Sequence, residues 1–298
     1  MLKSPSHVTI GTSSIEDTSR FFQAFGFVRE SDFTVGAFAA RELYGLTRPA
    51  AGARLSMPGA DRGFIRLVET SEPPVHGGPL DRGPHAVDLY VRDMAAALEI
   101  VKNTRAAIGP VAAYKVGPMA IKECKCVGPD GLALVLIEVN KRRPSVLDAS
   151  VHAMFSEVHS AVYVVESVDA SAGFWKEAGL LPLLDATFAE PEVAAFMHLP
   201  RPDTRLRLAL FADEAQLPIR LEMIEFPDPD GRGAPMIEAR PLRPGRFVFG
   251  FEVEGVEMTA RSLPGASYSK IARVGDDLVA SGAAAGGVAF ELWSPVGR

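Results

Sequence analysis

The sequence predicts an α+β protein built from four βαβββ units arranged as two halves. Three observations carry this. The order strand, helix, several strands recurs four times along the 298 residues. An aromatic pair followed by a glycine, Phe21-Phe22 with Gly26, returns as Phe174-Trp175 with Gly179, both at a step of 153 positions. Finally, turns rich in Gly, Pro and Asp, Gly128-Pro129-Asp130-Gly131 and Pro227-Asp228-Pro229-Asp230-Gly231, punctuate the chain. A repeat fixes which positions are equivalent, so it precedes any motif.

In the first unit, His7–Gly11 is short and β-prone. Ser13-Ser14-Ile15-Glu16-Asp17 starts a helix, with a serine cap and acids in the first turn. Ile15, Phe21, Phe22 and Phe25 form its apolar stripe, and Gly26 ends it in a left-handed cap. Phe27-Val28, Phe38–Leu43 and Gly63–Glu69 read as further strands. The second unit opens with the strand His85–Val91. Asp93 caps a helix carrying Met94, Ala97, Leu98 and Val101, and strands follow near 111–116, 120–127 and 132–139. In the third, Val158–Val165 is a strand and Ser167-Val168-Asp169 opens the helix. Strands near 193–199, 205–211 and 219–226 complete it. The fourth has Arg246–Val253, a short helix from Val256 to Leu263, and strands near 268–273, 277–281 and 287–293. The halves are 1–140 and 157–298, joined by a linker over 141–156.

Composition excludes several function classes. The 31 basic and 37 acidic residues give a net charge of −6. That offers no electrostatic footprint for nucleic acid or anionic lipid. Lys141-Arg142-Arg143 is the one run of three basic residues and reads as a solvated linker. Cys124 and Cys126 are alternate residues of one strand and read as thiols in a reducing compartment. The N-terminus lacks the apolar core of a secretion signal. No apolar stretch of roughly 18 residues exists to span a bilayer. The expectation is a cytoplasmic protein. No dinucleotide fingerprint, phosphate loop or nucleophile elbow is present.

Four βαβββ units, a histidine in the first strand of three of them, and a Pro-Asp-Gly turn before a last strand resemble the vicinal oxygen chelate superfamily. This is the group of glyoxalases, extradiol dioxygenases and bleomycin resistance proteins, and the resemblance covers nearly the whole chain. It implies that units pair into two cups of curved sheet. It also implies a divalent metal (Fe, Mn, Zn or Ni) bound by side chains from the first and last strands of paired units. Carried over, the first-strand positions hold His7, His85, His159 and Val248, and the last-strand positions hold Arg66, Val135, Glu222 and Glu291. If consecutive units pair, the C-terminal cup offers His159, Glu222 and Glu291. If units two and three pair, it offers His85, His159 and Glu222, the ligand set of a non-haem iron oxygenase. If units one and four pair, His7 and Glu291 remain. The candidate metal ligands are therefore His159, Glu222, His85 and Glu291. Arg66 is a candidate for an anionic substrate group. Glu69, Glu138 and Glu225 lie three residues further on and should face away from the cup.

Two functions follow from the resemblance. One is a metal-dependent enzyme acting on an aromatic or α-oxo small molecule. It would act by glyoxalase-like lyase or isomerase chemistry, with Glu291 moving the proton, or by ring-cleaving dioxygenation. The other is a non-catalytic, resistance-type binder of a small molecule, favoured by the lost ligands at Arg66, Val135 and Val248. A homodimer is left open.

Overall fold

A computed structural model describes residues 1–75, 77–215, 219–228, 232 and 234–295; Pro229, Asp230 and Gly231 of the second turn lie outside them. Unit one comprises β1 (His7–Thr12), α1 (Ile15–Gln23), β2 (Val28–Val35), α2 (Ala37–Tyr44), β3 (Ala50–Ser56) and β4 (Phe64–Glu69). Unit two comprises β5 (Gly83–Val91), α3 (Met94–Lys102), β6 (Ala107–Val116), β7 (Met119–Val127) and β8 (Ala133–Val139). The short helix α4 (Val146–Ala149) lies in the linker. Unit three comprises β9 (Phe155–Val164), α5 (Val168–Glu177), β10 (Leu181–Phe188), α6 (Pro191–Met197), β11 (Leu206–Ala212) and β12 (Arg220–Glu225). Unit four comprises β13 (Phe247–Glu252), α7 (Val256–Ser262), β14 (Ser267–Tyr268), β15 (Ala272–Val274), β16 (Asp277–Ala283) and β17 (Ala289–Pro295). No helix among the described residues is long and apolar enough to cross a membrane.

The units pair across the halves. One sheet runs β14-β16-β17-β13-β1-β4-β3-β2, with β15 on β16, and joins units one and four. The other runs β10-β11-β12-β9-β5-β8-β7-β6 and joins units three and two. At each centre two first strands lie antiparallel, β1 on β13 and β5 on β9. Each is flanked by a parallel last strand of its own unit.

The helices start as the residues dictate. The side chains of Ser14, Asp93 and Ser167 accept hydrogen bonds from the backbone N–H three residues on, satisfying an otherwise orphaned donor. A glutamate from a neighbouring strand completes each start. Glu69, Glu138 and Glu225, from the ends of β4, β8 and β12, accept the N–H groups of Ile15, Met94 and Val168 at 3.4, 2.6 and 2.9 Å. These three acids do face away from the cups, and the repeat gives them one shared role. Cys124 and Cys126 are buried free thiols on β7, on the face opposite to that of Glu123.

Helices and sheet backs share one core. Phe21, Phe22 and Phe25 pack in it with Phe155 of β9. Trp175 lies against Phe249, Phe251 and Phe290. Tyr163 of one sheet reaches the carbonyls of Phe247 and Ala289 in the other, at 3.1 and 2.9 Å. In the turn before β8, Asp130 takes a left-handed φ of 57°. Its carboxylate accepts from the Thr12 and Ser13 hydroxyls and the Ser13 N–H, tying unit two to the β1–α1 corner.

Two stretches read as strands are helices. Phe38–Leu43 belongs to α2, and the segment near 193–199 to α6. In α2 the buried residues are Ala39, Ala40, Leu43 and Tyr44, a helical spacing. Gly45 and His198 end the two helices in the left-handed region, again 153 positions apart. The repeat therefore extends to these helices, and both serve the cups. α2 of unit one packs on β15 and β16 of unit four. α6 of unit three packs on β6 and β7 of unit two. Each cup is roofed by a helix from one unit that lies on the strands of the other.

Candidate functional site

The cup of units one and four is filled by its own side chains. The registers of β1, β13, β4 and β17 set His7, Thr9, Arg66 and Glu291 on one concave face. Glu291 is fully buried. His7 Nε2 and Thr9 Oγ1 each lie 2.6 Å from its Oε1, and Tyr44 of the roof helix donates to Oε2 at 3.1 Å. The Arg66 guanidinium lies 3.5 Å from the same carboxylate and over the Phe33 ring. Burial pushes the His7 pKa down to about 4, so the ring is neutral near pH 7. Its Nε2 then donates to Glu291 while Nδ1 faces the Ser6 hydroxyl at 2.9 Å. Burial alone would raise the Glu291 pKa. The hydrogen bond from His7 and the charge of Arg66 outweigh it and hold the carboxyl at about 2. Arg66 is the cation that this carboxylate requires.

The cup of units two and three holds a cavity of about 50 Å³. Strand alternation aims Asp88 of β5, Tyr114 of β6, Glu123 of β7 and Glu222 of β12 into it. Phe188, Phe196 and Met197 close it from β10 and α6. Tyr114 donates to Glu123 at 2.8 Å, and Ser160 lies 3.4 Å from Glu222. Asp88 Oδ1 is buried without a hydrogen-bond partner. All three carboxyls have raised pKa values, each from burial first. The charges of Glu222 and Glu123 add to the rise at Asp88. Glu123 is pushed up to about 7, with the Glu222 charge adding to burial against the Tyr114 hydrogen bond. The rise at Glu222 is moderated by the neighbouring Arg220.

The floor of this cup is basic. Arg220 donates to His159 Nδ1 at 3.2 Å, and His159 stacks on Tyr90 with ring centroids 3.7 Å apart. Burial, then Arg220, drive the His159 pKa down, and its Nε2 has no hydrogen-bond partner. Arg143, from the basic run of the linker, is the next charge acting on this histidine.

The four candidate ligands do not come together. Glu291 lies in the other sheet from His85, His159 and Glu222. Those three share one cup, but β5 and β9 run antiparallel, with Ala86 opposite Val162 and Asp88 opposite Ser160. His85 and His159 therefore sit at opposite ends, roughly 10 Å apart along the strands. Among the described residues no three His, Cys, Asp or Glu could hold a metal ion. Arg66 stands 3.5 Å from Glu291 in one cup, and Arg220 contacts His159 in the other. The donor sets therefore do not fit the divalent metal that the resemblance implies. Arg205 pairs with Asp228, and Arg207 with Asp169 and Asp185.

Sequence reasoning missed Asp88, Tyr114 and Glu123. Asp88 carried a signal, an acid in the middle of the apolar run His85–Val91. Glu123 did not, because Ile121-Lys122-Glu123-Cys124-Lys125-Cys126 alternates like a strand with one solvent face. A concave, roofed face has the same alternation.

The Glu123 shift has a sign that stability measures. Its folded pKa lies above the usual carboxylate value, so the folded chain keeps a proton that the unfolded chain releases. This term therefore lowers stability as pH rises from about 4.5 to about 7. Glu123→Gln should be more stable than the parent at pH 8 by about 3 kcal/mol and within about 1 kcal/mol of it at pH 5. Urea midpoints at the two pH values check this.

No family model and no curated protein matches the chain. Solved structures do. A glyoxalase I mutant from Zea mays matches with a TM-score of 0.62 at 14% identity, over 98% of this chain and 93% of that one. A candidate dioxygenase from Bacillus subtilis matches with a TM-score of 0.66 at 12% identity, over 99% of this chain and 87% of that one. With four units in two curled, helix-roofed sheets, the chain has the fold of the vicinal oxygen chelate superfamily, the group its sequence resembles.

Proposed function

We propose that the chain binds a small organic molecule in the cup of units two and three, with the carboxyls of Asp88, Glu123 and Glu222 receiving a protonated amine. One observation carries this reading: three carboxyls with raised pKa values, Asp88 buried and Glu123 and Glu222 half-buried, converge on one cavity whose roof is apolar. Burial disfavours their ionised forms, and for Asp88 and Glu123 a neighbouring carboxylate adds repulsion, so a cation brought among them would be favoured. An ammonium group would supply it, and Phe188, Phe196 and Met197 would cover its alkyl part. Of the two functions the resemblance implies, the binder is the one that needs no metal-ligand set. A second reading, proton transfer on the bound molecule, is favoured by Glu123, whose pKa near 7 and hydrogen bond to Tyr114 suit a general acid–base pair.

Titration calorimetry at pH 8 tests the binding reading, with ethylamine as the probe and ethanol as its neutral control. The cavity of about 50 Å³ admits a group of that size. Ethylamine should bind the parent, and Glu222→Gln should weaken it at least tenfold. Equal behaviour of ethylamine and ethanol would overturn the reading.

A further inference from the structure

The acidic cavity does not end at its own walls. A second cavity of about 290 Å³ adjoins it, and the two share His85, Lys125 and Met197. The outer cavity has the opposite electrostatics. Lys125, His85, His198 and Arg246 line it, and no carboxylate among the described residues does. Lys125 lies on β7 two residues from Glu123, on the same face, so one strand sets an acid in the inner cavity and a cation at the junction.

Lys125 differs from its neighbours. Lys122 is paired with Glu138 at 2.7 Å. Lys125 is half-buried and has no hydrogen-bond or ion-pair partner among the described residues. Arg246 is anchored beside it, donating to the carbonyls of Pro84 and Val75 at 3.1 and 2.7 Å. Asp81 is the one acid acting on Arg246, and its carboxylate accepts from the Gly78 N–H at 2.7 Å. A half-buried ammonium without an acceptor, set beside a second cation in one concavity, is an unfilled demand for an anion.

We infer that the outer cavity is an anion subsite, formed by Lys125 and Arg246, for a carboxylate or phosphate group on the same molecule whose amine end enters the inner cavity. The inference deepens the proposed binding function and rests on it for the amine end. The ligand is then a short bipolar compound, cationic at one end and anionic at the other. Lys125, where the cavities meet, selects for the anion.

The test titrates acetate and inorganic phosphate separately, at fixed chloride ionic strength, into the parent, Lys125→Met, Lys125→Arg and Lys122→Met. One of the anions should bind the parent. Lys125→Met should weaken it at least tenfold, Lys125→Arg should largely restore it, and Lys122→Met, which removes the neighbouring lysine paired with Glu138, should leave it within about twofold. Tighter acetate assigns a carboxylate, and tighter phosphate assigns a phosphate ester. Circular dichroism confirms that each variant is folded. Absence of binding by both anions, or parent-like binding in folded Lys125→Met, overturns the anion subsite. Failure of ethylamine to bind while the anion result holds removes the amine end alone.

Discussion

Replacing Arg66 with methionine should destabilise the protein by about 3–5 kcal/mol, the cost of leaving a buried carboxylate without its cation. Glu291 is fully buried, and Arg66 lies 3.5 Å from it. His7 is neutral and offers a hydrogen bond but no charge. Removing Arg66 therefore strands a negative charge in a closed cup, or forces it to take up a proton. Adding Glu291→Leu should recover most of the loss, because a cup with neither charge has nothing left to compensate. Urea denaturation of the parent, the two single variants and the double variant measures the coupling. Additive effects would mean that the two side chains do not act as one unit.

Gly250→Ala should cost about 3 kcal/mol, at the upper end for overpacking. Gly250 sits opposite His7 in the β1–β13 register, and the imidazole lies across it. A Cβ there would stand 1.9 Å from His7 Cε1. The ring would have to leave, and its hydrogen bond to Glu291 would go with it. Gly250 lies two residues beyond Val248, the position to which the superfamily resemblance assigns a ligand in the first strand of unit four. Glycine at 250 makes room for the neighbouring histidine. Far-ultraviolet circular dichroism followed through thermal melting checks it. A parent-like melting temperature would contradict the packing described for this cup.

Much of the fold was legible because its signals are local. Ser14, Asp93 and Ser167 mark helix starts, Gly26 and Gly179 mark helix ends, and the step of 153 positions ties unit three to unit one. The roof helices α2 and α6 were read as strands because each is short and dense in apolar residues, where period alone does not separate helix from strand. Their clearest marker was the position of Gly45, 153 residues before His198. Unit pairing was not legible at all. Sheet order depends on contacts such as β1 with β13 that are distant in sequence, and the residues of either first strand do not name a partner. The candidate site depended on that pairing. Glu222 was found because the resemblance carries a ligand onto its position in the last strand of unit three. His85 and His159 were correctly placed on first strands, yet antiparallel pairing puts them at opposite ends of the cup. Asp88 and Glu123 became visible as site residues only once the concave face was known.

On the reading proposed above, the cup of units two and three is a charge-sensitive ligand site, while the cup of units one and four is a closed structural core. The most direct test is carbon-detected NMR titration of the Glu123 carboxyl, with and without saturating ethylamine. Alone, Glu123 should titrate near pH 7. With ethylamine bound, its pKa should fall towards the usual carboxylate value of about 4.3, because the ammonium stabilises the ionised form. A Glu123 carboxyl that titrates near pH 4, or one whose titration ethylamine leaves unmoved, would contradict the account.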